Sequence, residues 1–212
     1  MKSIQVSWLH AAGALAIVLG TTGCAMTAPK AERYVAPPMG ATWVSERRDT
    51  GSYGSATVQL PGKRGELMWE GKPHITFETP ESTIVARPEG GWIGVFRDGK
   101  PLMMWNPPAN FEWPLTVGAT FSKDYILTMY PSQQAMTYTS NSRVEAYEDV
   151  TVPAGTFKAF KVRTTDTIGN DNVVWFSPEF GIFVKQNNRR TAQHAQGPGT
   201  RDIEMVSQSI RR

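Results

Sequence analysis

From about residue 41 onward, short runs of β-branched and aromatic residues alternate with polar positions between turn residues, the pattern of half-buried strands. Two stretches show it best. Phe121, Tyr125, Leu127 and Met129 fall on one face while Ser122, Asp124 and Thr128 fall on the other, and Val144, Ala146, Val150 and Val152 oppose Arg143, Glu145, Asp149 and Thr151. Turn signals recur at Asp49-Thr50-Gly51, Pro61-Gly62, Gly71-Lys72-Pro73, Glu89-Gly90-Gly91, Asp98-Gly99 and Gly169-Asn170-Asp171. No segment sustains a 3.6-residue period, and 132–135 and 187–196 hold at most a turn of helix. The pattern predicts an all-β domain over residues 41–212: a single antiparallel curved sheet, sandwich or roll of about ten or more short strands.

The N-terminus breaks this pattern. Lys2 precedes an uncharged apolar run, AAGALAIVL over residues 11–19, which ends in the small residues Thr22 and Gly23. That is the layout of an export signal. The run is well short of the roughly 20 apolar residues of a spanning helix, so residues 1–23 are expected to be cleaved. Cys24, the one cysteine of the chain, follows directly. This ending resembles the lipobox of bacterial lipoproteins, with Thr21 standing where that class prefers leucine. The resemblance implies acylation of Cys24, a palmitate-type anchor of three chains, and membrane attachment through that lipid. Ala25, in place of the aspartate that retains such proteins in the inner membrane, implies the outer membrane of a Gram-negative cell, facing the periplasm. Residues 24–40, rich in Ala and Pro, read as the lipidated tether.

Charge changes the picture little. Of 22 Lys and Arg only Lys2 lies before Cys24, so the remainder exceeds the 19 Asp and Glu by two. That surplus is too small for a nucleic-acid footprint. The length after Cys24 suffices for a domain that folds without disulfides, and with one cysteine none can form within the chain.

Three blocks in the second half stand out: Trp113-Pro114-Leu115-Thr116-Val117-Gly118, then Val150 to Val162 (VTVPAGTFKAFKV), then Trp175-Phe176-Ser177-Pro178-Glu179-Phe180-Gly181. In this order they resemble largely uncharacterised β-rich periplasmic and lipoprotein families with PLxVG, VTVPAGTFxA(F/Y)KV and W(Y/F)xPxxG elements, over about residues 111–187. Read physically, the residues are structural. Pro153 stops a ladder, and Gly155 permits the positive φ of a tight turn between strands ending at Val152 and starting near Phe157. Phe160, Trp175 and Phe183 are expected in the core.

Catalytic chemistry has little to stand on. His74 and His194 are the histidines after Cys24; alternation puts His74 opposite Ile75 and Phe77, facing solvent, and His194 falls in a polar stretch. Their separation gives no metal-ligand spacing, and no phosphate loop or dinucleotide fingerprint occurs. No cofactor and no metal are expected. The acidic groups Glu78, Glu81 and Glu145, Glu148, Asp149 read as solvated strand ends. Between Trp105 and Pro114, two tryptophans, Phe111 and the three prolines Pro107, Pro108 and Pro114 compose a stiff segment. It is expected to be a loop that either plugs the core or presents Trp105, Phe111 and Trp113 to a ligand or partner. The expected function is a non-enzymatic envelope lipoprotein that binds an apolar or envelope ligand, such as an envelope protein or glycolipid, or serves an envelope assembly. The alternative is an envelope hydrolase acting on cell-wall or glycan substrates.

Overall fold

The computed structural model describes residues 29–210. The signal segment and Cys24 lie outside the described residues. Fourteen strands follow in order: β1 (Lys30–Ala31), β2 (Thr42–Gly51), β3 (Ala56–Trp69), β4 (Lys72–Glu78), β5 (Thr83–Ala86), β6 (Trp92–Arg97), β7 (Lys100–Ala109), β8 (Leu115–Thr116), β9 (Thr120–Met129), β10 (Gln134–Val152), β11 (Gly155–Asp166), β12 (Asn170–Ser177), β13 (Ile182–Arg190) and β14 (Gly199–Gln208). There is no helix among the described residues. The all-β expectation holds, but an open curved sheet or a sandwich does not. Twelve strands close into a barrel in the order β10-β11-β12-β13-β14-β2-β3-β4-β5-β6-β7-β9, and β9 pairs back onto β10.

Two long strands make closure possible. The first half of β3 pairs with β2 and the second half with β4. Likewise, β9 takes the first part of β10 and β11 the second. Each handover staggers the neighbours along the strand axis, and such stagger is what a tilted sheet needs in order to meet itself. Every neighbouring pair is antiparallel, so the hairpins divide between two ends. One end, here the upper, carries the turns after β2, β4, β6, β9, β11 and β13.

The expected hairpins are present. Val152 faces Gly155, whose φ is +128°, and Ser177 faces Ile182. Trp43 lies against Gly62, where a Cβ would strike the indole, so only glycine fits there. The stretch from Trp105 to Ala109 corrects the loop expectation: it is the end of β7, and Met103 to Asn106 pair with β9. The segment expected to be a tether also touches the barrel from Lys30 on. Lys30 and Ala31 pair with Thr116 and Leu115, and the Tyr34 hydroxyl donates to the Gly181 carbonyl (3.1 Å).

Two apolar clusters gather at the lower end. One joins Val150, Val152 and Phe157 of the β10–β11 hairpin to Ile182, Val184 and Met205, with the Ala154 amide bonded to the Met205 carbonyl. The other gathers Phe160, Val162, Phe176 and Leu115, with Phe111, Trp113 and Tyr34 against them.

Candidate functional site

β6 and β13 stand six places apart on the ring of twelve. A contact between Trp92 and Phe183 (5.8 Å, edge-on) therefore crosses the barrel, and it identifies the inward face. From these rings an aromatic chain runs both ways. Towards the lower end it passes Phe176 (5.9 Å from Phe183) and Trp113 (5.7 Å from Phe176) to Tyr34 (6.3 Å). Towards the upper end it passes Trp105 (6.4 Å from Trp92), whose indole N–H donates to the Tyr138 hydroxyl at 3.0 Å; Tyr138 stacks on Tyr125 at 5.4 Å. Edge-on and offset rings at these separations are each worth about 0.5–1.5 kcal/mol beyond their burial. Burial pushes the Tyr138 phenol up to about 12 and also raises that of Tyr125, as expected of hydroxyls withdrawn from water.

The three aromatic residues of the 105–114 segment thus separate by role. Phe111 touches Phe121, Phe176 and Phe183, and Trp113 touches Phe176, so both belong to the packed floor. Trp105 stands nearer the upper end. Tyr125 and Tyr138 complete its surroundings but were not singled out in the sequence, because each reads as an ordinary strand residue until the β9–β10 register is known.

The inner wall opposite is charged. In register across the seam, β14 presents Arg201 to Asp49 of β2. Arg201 Nε and Nη2 donate to the two Asp49 oxygens at 2.7 and 3.0 Å, and Arg47 Nε lies 3.0 Å from Asp49 Oδ2. Arg47 also pairs with Glu81 from the β4–β5 turn. Burial pushes the Asp49 carboxyl up, but the hydrogen bonds and charge of Arg201, then of Arg47, outweigh it and hold the group below the usual carboxylate range. Tyr53 is flanked by two guanidiniums, Arg190 at 3.8 Å and Arg201 at 4.6 Å from its ring.

The outward face carries ion pairs: Arg163–Asp171, Lys161–Glu145 and Lys185–Glu204. A barrel spanning lipid would carry an apolar band there.

The residues weighed for chemistry do not converge. His74 is 9 % exposed, against the expectation of a solvent-facing ring, with Nδ1 3.0 Å from the Lys72 carbonyl oxygen. The His194 imidazole is held below its ordinary value by burial and then by the charge of Arg190. Glu78 accepts from Thr76, Glu81 pairs with Arg47, Glu145 with Lys161 and Asp149 with Lys158, while Glu148 accepts from the Trp175 indole. Two surface clefts, one beside Trp43 and one beside Arg143, hold a single carboxylate each and no histidine. Among the described residues no three His, Cys, Asp or Glu side chains cluster as metal ligands.

A family model described as DUF3108-like matches residues 103–197, a span that contains the three motif blocks of the second half. No curated protein matches the chain. Solved structures similar to it include the following three. One is a protein of Parabacteroides distasonis ATCC 8503 inferred to be a lipoprotein, at 10% identity and TM-score 0.44 over 84% of this chain and 99% of that one. The second is the hypothetical lipoprotein YmcC of Escherichia coli K12, at 8% and 0.46 over 81% and 86%. The third is a protein of Bacteroides fragilis NCTC 9343, inferred to be exported and with a YmcC-like fold, at 12% and 0.47 over 84% and 99%. With TM-scores under 0.5, the functional reading rests on this chain's own residues.

Proposed function

We propose that this chain is a lipid-anchored envelope protein that binds an apolar ligand inside its barrel and performs no catalysis. The observation that carries the reading is the aromatic interior, packed below around Phe111, Trp113 and Phe176 and only half-buried above around Trp105. An interior whose aromatic wall is apolar suits a hydrophobic guest on that side. The ion-paired outer face suits an aqueous compartment, and acyl chains on Cys24, exposed by cleavage after Thr22 and Gly23, supply the anchor. Docking of the chain from Lys30 leaves six residues of tether, which hold the barrel within about 20 Å of the lipid surface, where the full segment to residue 40 would allow about 55 Å. The outer membrane, with the barrel facing the periplasm, is the proposed location. An anchored binder gains from effective concentration beside the membrane.

Two measurements test this reading. Intact mass and detergent partitioning should show a lipid adduct on the wild-type chain and its loss in Cys24→Ala; equal solubility of the two with an unmodified thiol removes the anchor. Trp105→Ala, folded by its melting curve, should lose most of the apolar material that co-purifies from envelopes, while His194→Ala and Glu145→Ala keep it. The reverse pattern would replace binding with hydrolysis.

A further inference from the structure

The upper mouth of the barrel has two unlike sides. β9 and β2 stand six places apart on the ring, so their upper ends face each other across it. On the β7–β9–β10 side, Met103 pairs with Met129, and Leu127 pairs with both Trp105 and Met136. Alternation puts all of these on the inward face fixed by Trp105. None is fully covered, and Met136 is 43% exposed. This is an apolar, methionine-rich wall at the entrance to the aromatic interior, and unbranched thioethers adapt to flexible chains.

The opposite wall gathers three guanidiniums, with Asp166 at the same end bonded to Asn170. Arg47, Arg190 and Arg201 meet two carboxylates, Asp49 and Glu81, and both of those are already engaged by Arg47 or Arg201. Arg190 has no carboxylate partner among the described residues. Its Nη1 donates to the Ser52 carbonyl at 3.0 Å and its plane lies on Tyr53, so the head is fixed in place. Its Nε is buried without a hydrogen-bond partner. A guanidinium held in place without a carboxylate keeps its charge for an anion, and its planar fork matches phosphate or carboxylate oxygens.

We propose that the mouth binds an anionic amphiphile: a phosphate or carboxylate head engages Arg190, and its acyl chain runs along Met136, Met129 and Met103 towards Trp105. This deepens the apolar-ligand reading above and rests on it. The two walls divide the ligand between them, so head and chain are separately testable.

The test uses tryptophan fluorescence of the full chain carrying Cys24→Ala, which keeps acyl groups off the protein itself. Dodecyl phosphate, dodecanoate and the neutral dodecyl maltoside are titrated below their micelle concentrations, and inorganic phosphate serves as the head alone. Saturable one-site binding is expected for the two anionic probes, the tighter of which identifies the head chemistry. Dodecyl maltoside should bind about tenfold more weakly, and inorganic phosphate should give no response. Arg190→Gln should weaken the anionic probes about tenfold and leave the maltoside unchanged; Arg190→Lys, which keeps the charge, should fall between. Met136→Glu should weaken every alkyl probe while Met136→Leu retains them, with melting curves confirming the fold. Equal affinity for neutral and anionic probes overturns the head assignment but leaves an apolar ligand standing. Binding unaffected by Met136→Glu overturns the chain assignment. Failure of the folded protein to bind any alkyl probe overturns both this inference and the reading beneath it.

Discussion

Phe160→Ala is expected to lower the unfolding free energy by about 3–5 kcal/mol, the range for emptying a buried aromatic site. The ring is 1% exposed, lies 4.6 Å from Tyr147 and faces Phe176 across the β11–β12 ladder. It therefore sits where the barrel wall meets the floor, and few neighbours there are free to collapse into the space. Trp175→Ala should cost less than half as much. Trp175 lies in the same motif block but on the outward face, half-buried, with its indole N–H on Glu148 (2.8 Å) and the Lys161 and Lys185 ammonium groups 5.8 and 5.5 Å from the ring. Exposed cation–π contacts of this kind contribute about 0.5–1 kcal/mol. Urea midpoints of the two variants give the comparison directly. Equal losses would mean that the inward and outward faces of β12 have been assigned wrongly.

Trp175 also shows what a linear pattern conveys and what it omits. The strands and their turns were legible because alternation and turn glycines are local: Val152 opposite Gly155 follows from Pro153 and Gly155 alone. Closure was not legible. It depends on β14 meeting β2 across roughly the whole chain, and on β9 and β11 sharing one long strand. A barrel wall and a half-buried open sheet have the same period, one wet face and one dry. His74 was misread for a related reason. In the β4–β6 sector both faces are covered: Ile75 and Ala86 are buried on one, and Thr76 and Val85 on the other. A residue opposite an apolar neighbour there is still inside.

The candidate site was legible only in part. A run of tryptophan, phenylalanine and proline from Trp105 to Pro114 announces aromatic packing, yet nothing in it says that Trp105 lies near the mouth while Phe111 and Trp113 form the floor. Pro107 and Pro108 suggested a loop. The β7–β9 ladder ends at Asn106, just before them, so neither proline has to donate to it. The charged wall left no local trace at all, since Asp49 and Arg201 are 152 residues apart.

That wall gives the other large effect. Asp49→Asn should lower stability at neutral pH by about 3 kcal/mol, because Asp49 is 4% exposed and its removal leaves Arg47 and Arg201 facing each other without the charge between them. The pair also fastens the seam between β14 and β2, so the loss should appear as earlier global unfolding and as faster amide exchange along both strands. The pH dependence has a fixed sign. The folded pKa of Asp49 is depressed, so its contribution is complete above the unfolded carboxyl value near 3.9 and fades as the pH falls below it through the folded value. Wild type and Asp49→Asn should accordingly differ most at neutral pH and approach each other below about pH 4. Urea unfolding of both proteins at neutral and acid pH measures this difference. A gap that persisted unchanged into acid would show that the shape of the side chain, and not its charge, holds the seam.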